Sequence, residues 1–398
     1  MLLSLEVKNF CSFKDGFKFS MKPGKTMSRF EDNVIQVKNK KVSKVSVIVG
    51  ENAGGKSNFM TSIDYFKYLI KEDMNHGTLK KLCYNNDNTV QQEFKIEAII
   101  EDKIYLYIIK KDKYSNLLEE LYITSINKNV DESDKIFSVR REKLDTESKI
   151  IEIVLELNED YISKEIGAIL SNGNNNAQGL FLNKLYKIGF SFITPFVEWI
   201  KNKLIIKLPD QHSLNFYKQI EKNEEEIAIL KTKEFLEIFS IVDPSISNIE
   251  VDEKEPFEDT LIIRKKGDSE TFSIKLKDDS SGVRDFFAWA IEIWKVIYED
   301  ATLFADELDK VFNSILSEKV LNYVKTMSSK GQFIFSTHNI LHINTIDFMK
   351  EQIHFINKEQ ENLSSEMYSL SDFKDYRYDK PKVYEMYLKG LLGGVPND

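Results

Sequence analysis

Residue types that build disulfide frameworks, metal centres and membrane spans are scarce in this sequence. It contains two cysteines, seven prolines and five histidines among 398 residues. Cys11 and Cys83 lie far apart and lack metal-ligand spacing, so neither a disulfide framework nor a zinc site is predicted. Every apolar run is broken by charge well short of a bilayer span, and the N-terminus lacks the apolar core of a signal peptide. We therefore expect a cytoplasmic protein without a membrane partner.

The charge balance is acidic. The formal net charge is −9, with 42% hydrophobic and 30% charged residues, as in ordinary globular proteins. This balance argues against a protein coated with nucleic acid, but nucleic acid stays open as a ligand because recognition depends on local charge distribution. The length allows two domains, or one domain with a large insertion.

A glycine-rich motif follows the apolar run 45–49. Residues 50–57 read Gly-Glu-Asn-Ala-Gly-Gly-Lys-Ser, which is the G-x-x-x-x-G-K-S spacing of a phosphate loop. Its glycines let backbone N–H groups wrap an oligophosphate, Lys56 supplies positive charge, and Ser57 supplies a hydroxyl ligand for Mg²⁺. Apolar residues at helical spacing from 59 to 70 predict a helix whose dipole also favours anions. The predicted ATP contacts are Gly50, Asn52, Gly54, Gly55, Lys56, Ser57 and Asn58.

Apolar periodicity divides the rest of the chain. Alternating apolar residues predict two strands before the phosphate loop and an antiparallel β lobe between about 90 and 155. Helical spacing dominates between about 156 and 245. We therefore expect an N-terminal part of the nucleotide-binding domain with its β lobe at 1–155, a mostly helical insertion at 156–245, and the C-terminal part of that domain at 246–398.

Two later segments fit the second half of a nucleotide site. Ser280, Ser281 and Gly282 precede a predicted helix and can present a hydroxyl and N–H groups to a phosphate, although an ordinary N-cap has the same composition. The apolar strand 302–305 then ends in two acids, Asp306 and Glu307. In this order, Asp306 is predicted to hold Mg²⁺ and Glu307 to orient and polarise the attacking water.

A histidine follows the next apolar strand. Residues 333–335 lead into Ser336-Thr337-His338-Asn339. At the end of a strand next to the acidic pair, the His338 imidazole would lie near the terminal phosphate and sense it. A lone histidine is more often structural, but this position favours a catalytic role for His338 together with Glu307.

These motifs make the chain similar to the ABC-type ATPases of the SMC, RecF and overcoming-lysogenization-defect group. Within that group it resembles the short AAA-type ATPases of bacterial abortive-infection and restriction-linked loci, the RloA and AbiL-like proteins. The resemblance is carried by 7–13, 50–58, 280–284, 306–309, 336–339, 367–373 and the tail 387–390. Cys11 replaces the arginine usual in that family, and Lys310-Val311-Phe312-Asn313 replaces its Ser-Leu-His-Pro.

The resemblance implies an α/β fold, namely a P-loop NTPase of ABC or SMC-head type with an antiparallel β lobe and a mostly helical insertion. It implies ATP and Mg²⁺ as ligands and hydrolysis of ATP to ADP and phosphate. It also implies a homodimer in which the phosphate loop of one chain and 280–282 of the other enclose ATP, with a higher oligomer left open.

Two functions are compatible with this resemblance. The first is a sensor or scaffold in bacterial anti-phage defence that controls a separately encoded effector, of which a nuclease is one candidate. The second is a DNA-repair ATPase that clamps DNA when ATP drives its dimerisation.

Overall fold

The computed structural model describes most of the chain. The described residues are 1–24, 28–72, 84, 90–112, 117–143, 151–171, 179–213, 224–267, 270–343, 345, 347–374, 376–378 and 382–393.

Groups of strands and groups of helices follow one another along the chain. The strands are β1 (Leu2–Lys8), β2 (Phe17–Ser20), β3 (Val34–Val37), β4 (Lys40–Ser43), β5 (Val45–Gly50), β6 (Gln92–Ile100), β7 (Lys103–Lys111), β8 (Leu117–Ser125), β9 (Lys135–Lys143), β10 (Ile151–Leu157), β11 (Leu204–Lys207), β12 (Ile246–Glu250), β13 (Leu261–Lys266), β14 (Glu270–Lys275), β15 (Thr302–Ala305), β16 (Gln332–Ser336), β17 (Ile353–Lys358) and β18 (Ser365–Ser369). The helices are α1 (Lys56–Lys71), α2 (Lys164–Ser171), α3 (Phe181–Lys187), α4 (Thr194–Glu198), α5 (Glu224–Leu230), α6 (Lys233–Phe239), α7 (Ser281–Tyr298), α8 (Ser314–Met327) and α9 (Val383–Leu388).

A parallel sheet carries the phosphate loop. Its order is β11-β15-β16-β5-β17-β18, and only the last pair is antiparallel. Every residue of β5, β15 and β16 is buried, as expected when both faces of a parallel sheet are covered. Because these strands run in the same direction, their carboxyl ends meet at one edge of the sheet.

The β lobe is an antiparallel sheet in the order β10-β9-β8-β7-β6-β1-β2. Its alternating apolar residues share a buried cluster with one face of α1 and with one face of the parallel sheet. Residues of α1 in this cluster include Phe59, Ile63 and Phe66, and residues of the parallel sheet include Ile48 and Phe304. The phosphate-loop helix is therefore packed between the two sheets.

The opposite face of the parallel sheet is covered by α7 and α8. Val47, Val49 and Phe335 point to this side, since neighbouring residues of a strand face opposite ways. They share a second buried cluster with Phe286 and Trp289 of α7. Two smaller sheets, β12-β13-β14 and the hairpin β3-β4, complete the described strands.

The predicted fold class is confirmed, because the described residues form a P-loop parallel sheet beside an antiparallel lobe. The three-part division of the chain stays a prediction. Within the segment expected to be mostly helical, β11 joins the edge of the parallel sheet. Between 224 and 239 the helical spacing corresponds to two helices, α5 and α6, because the Thr232 side chain accepts the N–H of Phe235 and caps a new helix.

Among the described residues, no helix combines the length and the apolar character needed to cross a membrane.

Candidate nucleotide-binding site

The phosphate-loop motif lies between the carboxyl end of β5 and the first turn of α1, as its spacing predicts. Gly55 is the N-cap of α1, with a φ of 123° that residues with a side chain rarely adopt, and no side chain caps this helix end. Unpaired N–H groups and the helix dipole make such an end attractive to anions. The backbone at this point is therefore arranged to bind a phosphate.

Two glycines of the motif are required by close packing. A Cβ at Gly50 would lie 2.1 Å from the carbonyl oxygen of Ile356 in β17, and one at Gly55 would lie 2.4 Å from Ser365 Oγ. Gly54 is surrounded at 3.1 to 3.2 Å by Glu51 and by the same Ile356 oxygen. Neighbouring strands thus fix the course of the loop.

The Lys56 ammonium makes hydrogen bonds across the phosphate loop. Its Nζ donates to the carbonyl oxygens of Gly50 and Glu51, both at 2.9 Å. Burial lowers the pKa of Lys56, and the carboxylates of Asp306 and Glu307 oppose this shift. The positive charge therefore lies inside the loop and close to the acidic pair.

Residues outside the motif support the loop from behind. The Ser365 hydroxyl donates to the carbonyl oxygen of Gly54 at 2.5 Å, and its oxygen lies 2.6 Å from Ser12 Oγ. Asn58 Nδ2 donates to the same Ser12 oxygen at 2.7 Å. The sequence pattern assigned no role to Ser365, and no local signal marks it, because Ser12 and Ser365 lie 353 residues apart.

Ser336 joins the two acids at the end of β15. Its hydroxyl donates to Asp306 Oδ1 at 2.5 Å and accepts the N–H of Glu307 at 2.8 Å. Asp306 is completely buried, and its N–H donates to the carbonyl oxygen of Lys207 at 2.9 Å. Ser336 belongs to the motif read from the sequence, but the pattern did not reveal this bridging position.

Glu307 has an unusual backbone conformation. Its φ of 51° and ψ of 52° lie in the left-handed region, where a residue with a side chain costs about 1–3 kcal/mol. The Glu307 side chain lines the pocket described below. His338 Nε2 lies 3.7 Å from Glu307 Oε1, and the His338 N–H donates to Asp309 Oδ1 at 3.0 Å.

One pocket collects most of the residues expected to contact the nucleotide. It has a volume of about 260 Å³. Gly50, Gly54 and Asp306 are also expected at the site but do not line this pocket. The lining residues are Asn52, Ala53, Gly55, Lys56, Ser57, Asn58, Glu307 and His338. Elements from three strand ends therefore converge on one site.

Ser280, Ser281 and Gly282 do not line this pocket. Ser280 is the N-cap of α7, and its hydroxyl accepts the N–H of Val283 at 3.4 Å. All three residues are exposed, and a Cβ at Gly282 would meet nothing within 4 Å. Within one chain the segment is thus an exposed helix N-cap.

The residues present fit a magnesium ion. Asp306 Oδ2 is buried and has no hydrogen-bond partner among the described residues, so an acceptor is left for a cation. The exposed Ser57 hydroxyl lines the same pocket. The described residues contain no cluster of three or more histidine, cysteine or acidic ligands, and Mg²⁺ commonly uses one or two carboxylates together with water and substrate phosphates.

Solved structures similar to the chain include three SMC head domains. An Smc head bound to the C-winged helix domain of ScpA has 15% sequence identity and a TM-score of 0.49, over 92% of this chain and 97% of that one. The SMC head of Thermotoga maritima has 15% identity and a TM-score of 0.45, over 92% and 98%. An Smc head with an extended coiled coil, bound to the C-terminal domain of ScpA derived from Pyrococcus furiosus, has 14% identity and a TM-score of 0.42, over 92% and 96%.

Sequence comparison gives the family. No curated protein matches the chain. Residues 45–344, more than half of the chain, match the profile of one family. The match begins at the strand before the phosphate loop and extends past His338, so it includes both halves of the pocket. The chain belongs to the family described as "AAA domain, putative AbiEii toxin, Type IV TA system".

Proposed function

We propose that the chain binds ATP with Mg²⁺ at this pocket and hydrolyses it to ADP and phosphate. The observation that carries the proposal is the meeting of Lys56, Ser57, Glu307 and His338 around one cavity at the carboxyl edge of a parallel sheet. Ligands of open α/β sheets bind at this edge. In this assignment the loop N–H groups and Lys56 hold the phosphates.

The other residues of the proposed site have separate roles in metal binding, water activation and phosphate contact. Ser57 and Asp306 would hold Mg²⁺, which when bound neutralises negative charge on phosphate oxygens. Glu307, whose carboxylate faces the pocket, orients the attacking water and accepts its proton. The His338 side chain contacts the terminal phosphate. Because the backbone N–H of His338 donates to Asp309, this contact is coupled to the loop that contains Asp309.

We further propose that a second copy of the chain completes the site. The exposed segment 280–282 heads the 18-residue helix α7 and lies outside the pocket of its own chain. A head-to-tail homodimer would place this helix end against the nucleotide of the partner. Contacts from both copies make dimer affinity depend on the terminal phosphate, so hydrolysis can release a partner.

The biological role that we propose is a cytoplasmic sensor or scaffold in bacterial anti-phage defence, acting through a separately encoded effector. The family description, which names an AbiEii toxin, supports this role. It also fits the resemblance to abortive-infection ATPases. In plaque assays, cells that carry the locus should resist phage, and Lys56→Ala should remove the resistance. Equal plaque counts with and without the wild-type gene, across a panel of phages, would count against the role.

A DNA clamp is the second candidate, because one groove of the β lobe is basic. Lysines outnumber acids around a cavity of about 360 Å³, although the whole chain is acidic. The charged residues of this groove are Lys18, Lys22, Lys40, Lys41, Lys95, Glu6 and Glu97. Tight duplex binding that weakens steeply with salt would favour the clamp, and a stable complex with the neighbouring gene product at low DNA affinity would favour the sensor.

The site assignment is tested with two variants. Lys56→Ala should abolish ATP binding. Glu307→Gln should keep ATP binding, lower kcat by about 10²- to 10⁴-fold and accumulate an ATP-bound dimer in sedimentation. Glu132→Gln is a matched control, because the Glu132 side chain is 81% exposed on the β lobe. Normal ATP affinity in Lys56→Ala would refute the phosphate site. Unchanged turnover in Glu307→Gln would show that a residue other than Glu307 is the base.

A further inference from the structure

Both carboxylate oxygens of Glu307 have a neighbour that can carry positive charge. Lys310 Nζ lies 2.5 Å from Oε2, and His338 Nε2 lies 3.7 Å from Oε1. The Glu307 side chain is 19% exposed, whereas that of Lys310 is 59% exposed. The residue proposed as the base is thus held in an ion pair by a lysine at the rim of the site.

Backbone geometry builds this pair. The left-handed turn at Glu307 begins a short 3-10 helix, Leu308–Lys310, and the Lys310 N–H donates to the Glu307 carbonyl oxygen at 3.0 Å. The turn brings the Lys310 ammonium to the Glu307 carboxylate, three residues before it in the chain. The carboxylate of Asp309, which lies between them in the sequence, accepts the backbone N–H of His338. Lys310 therefore pairs with Glu307, while Asp309 binds the neighbouring loop.

The ion pair has a consequence for the chemistry. An ammonium in contact with a carboxylate holds it in the geometry of the pair through a charge-assisted hydrogen bond. It also draws the carboxylate along the 3-10 helix, since the two side chains must meet. Lys310 itself does not line the nucleotide pocket, whereas Glu307 does.

We propose that Lys310 is a positioning residue that restrains Glu307, and that hydrolysis requires this ion pair to open. The inference rests on the proposed function, because it concerns the regulation of the same site. The restraint keeps basal ATP turnover low until the pair is broken.

The test compares three lysine variants in steady-state ATP hydrolysis. Lys310→Met should raise kcat roughly two- to five-fold, the effect of an exposed ion pair, and leave the KM for ATP unchanged. Lys310→Arg should keep the low kcat of the wild type. Lys330→Met is the control, because Lys330 is 57% exposed and lies 4.0 Å from Asp300, at the other end of the strands.

A second measurement compares how ATP turnover by the wild type and by Lys310→Met responds to salt. Raising the ionic strength from about 0.05 M to about 0.5 M screens exposed ion pairs, so it should raise the kcat of the wild type more than that of Lys310→Met. A Lys310→Met kcat equal to or below that of the wild type, or the same salt response in both proteins, overturns the restraint. Glu307→Gln is measured in parallel: if it is inactive, only the restraint has failed, and if it is active, the proposed base has failed.

Discussion

Ser336→Ala is the substitution that most directly tests how the acidic pair is held. The serine hydroxyl is the only atom that bridges the Asp306 carboxylate and the Glu307 N–H in the described part of the chain. Alanine fits the same completely buried position and removes only this oxygen. The change therefore isolates the two hydrogen bonds from any effect of size.

The expected magnitude follows from those two bonds. A hydrogen bond to a charged group contributes about 1.5–3 kcal/mol, and a donor left without its acceptor costs a further ~1 kcal/mol or more. Asp306 has no exposed surface through which water could replace the hydroxyl. We therefore expect the free energy of unfolding to fall by about 2–4 kcal/mol. Because Asp306 is also released to rotate, the Mg²⁺ concentration that gives half-maximal ATPase activity should rise about tenfold, equivalent to ~1.4 kcal/mol.

Urea unfolding and a Mg²⁺ titration of ATP hydrolysis measure the two effects. Ser328→Ala is the matched control, since the buried Ser328 hydroxyl donates to a neutral acceptor, the carbonyl oxygen of Gly331, at 2.9 Å. It should lower the free energy of unfolding by about 0.5–1.5 kcal/mol and leave the Mg²⁺ dependence unchanged. If Ser336→Ala behaves like this control in both assays, the bridging role of Ser336 is wrong.

Two further predictions concern stability. Lys207→Met should lower the free energy of unfolding by up to about 3 kcal/mol in urea, because it removes the ammonium 2.7 Å from the Glu292 carboxylate in a pair that is 9% and 3% exposed, while Lys295 Nζ remains 3.9 Å from the other oxygen. Lys266→Met, from the pair with Glu270 that is 73% and 72% exposed, should cost less than about 1 kcal/mol, and equal losses would contradict the argument. Burial lowers the pKa of His354 from 6.5 to about 4, so the unfolded state binds more protons between these values, and the free energy of unfolding should fall by about 3 kcal/mol as the pH drops through that window. His354→Gln should flatten this pH dependence, and an unchanged slope would assign it to other groups.

The parts of the site that the sequence predicted are those encoded over a few adjacent residues. The phosphate loop needs glycine, lysine and serine at fixed spacing, and the acidic pair needs only a strand that ends in Asp306 and Glu307. Because parallel strands end at one edge of a sheet, the order of these motifs is enough to bring them together. Local chemistry therefore predicted the pocket.

The supporting contacts could not be predicted, because they depend on which distant residues become neighbours. The register of β18 beside β17 decides that Ser365 meets Gly54, and no spacing rule connects residues in such distant parts of the chain. Likewise β11 has only four residues inside a segment of helical character, so its place beside β15 follows from tertiary pairing. Short strands of this kind carry too little periodicity to be recognised.

Lys207, in the strand β11 that the sequence did not predict, contacts both proposed halves of the site. The carbonyl oxygen of Lys207 accepts the N–H of Asp306 at 2.9 Å and lies 3.3 Å from His212 Nε2. Its ammonium pairs with Glu292 of α7, the helix whose first turn carries Ser281. A displacement of β11 therefore changes the proposed metal ligand and the proposed dimer contact together.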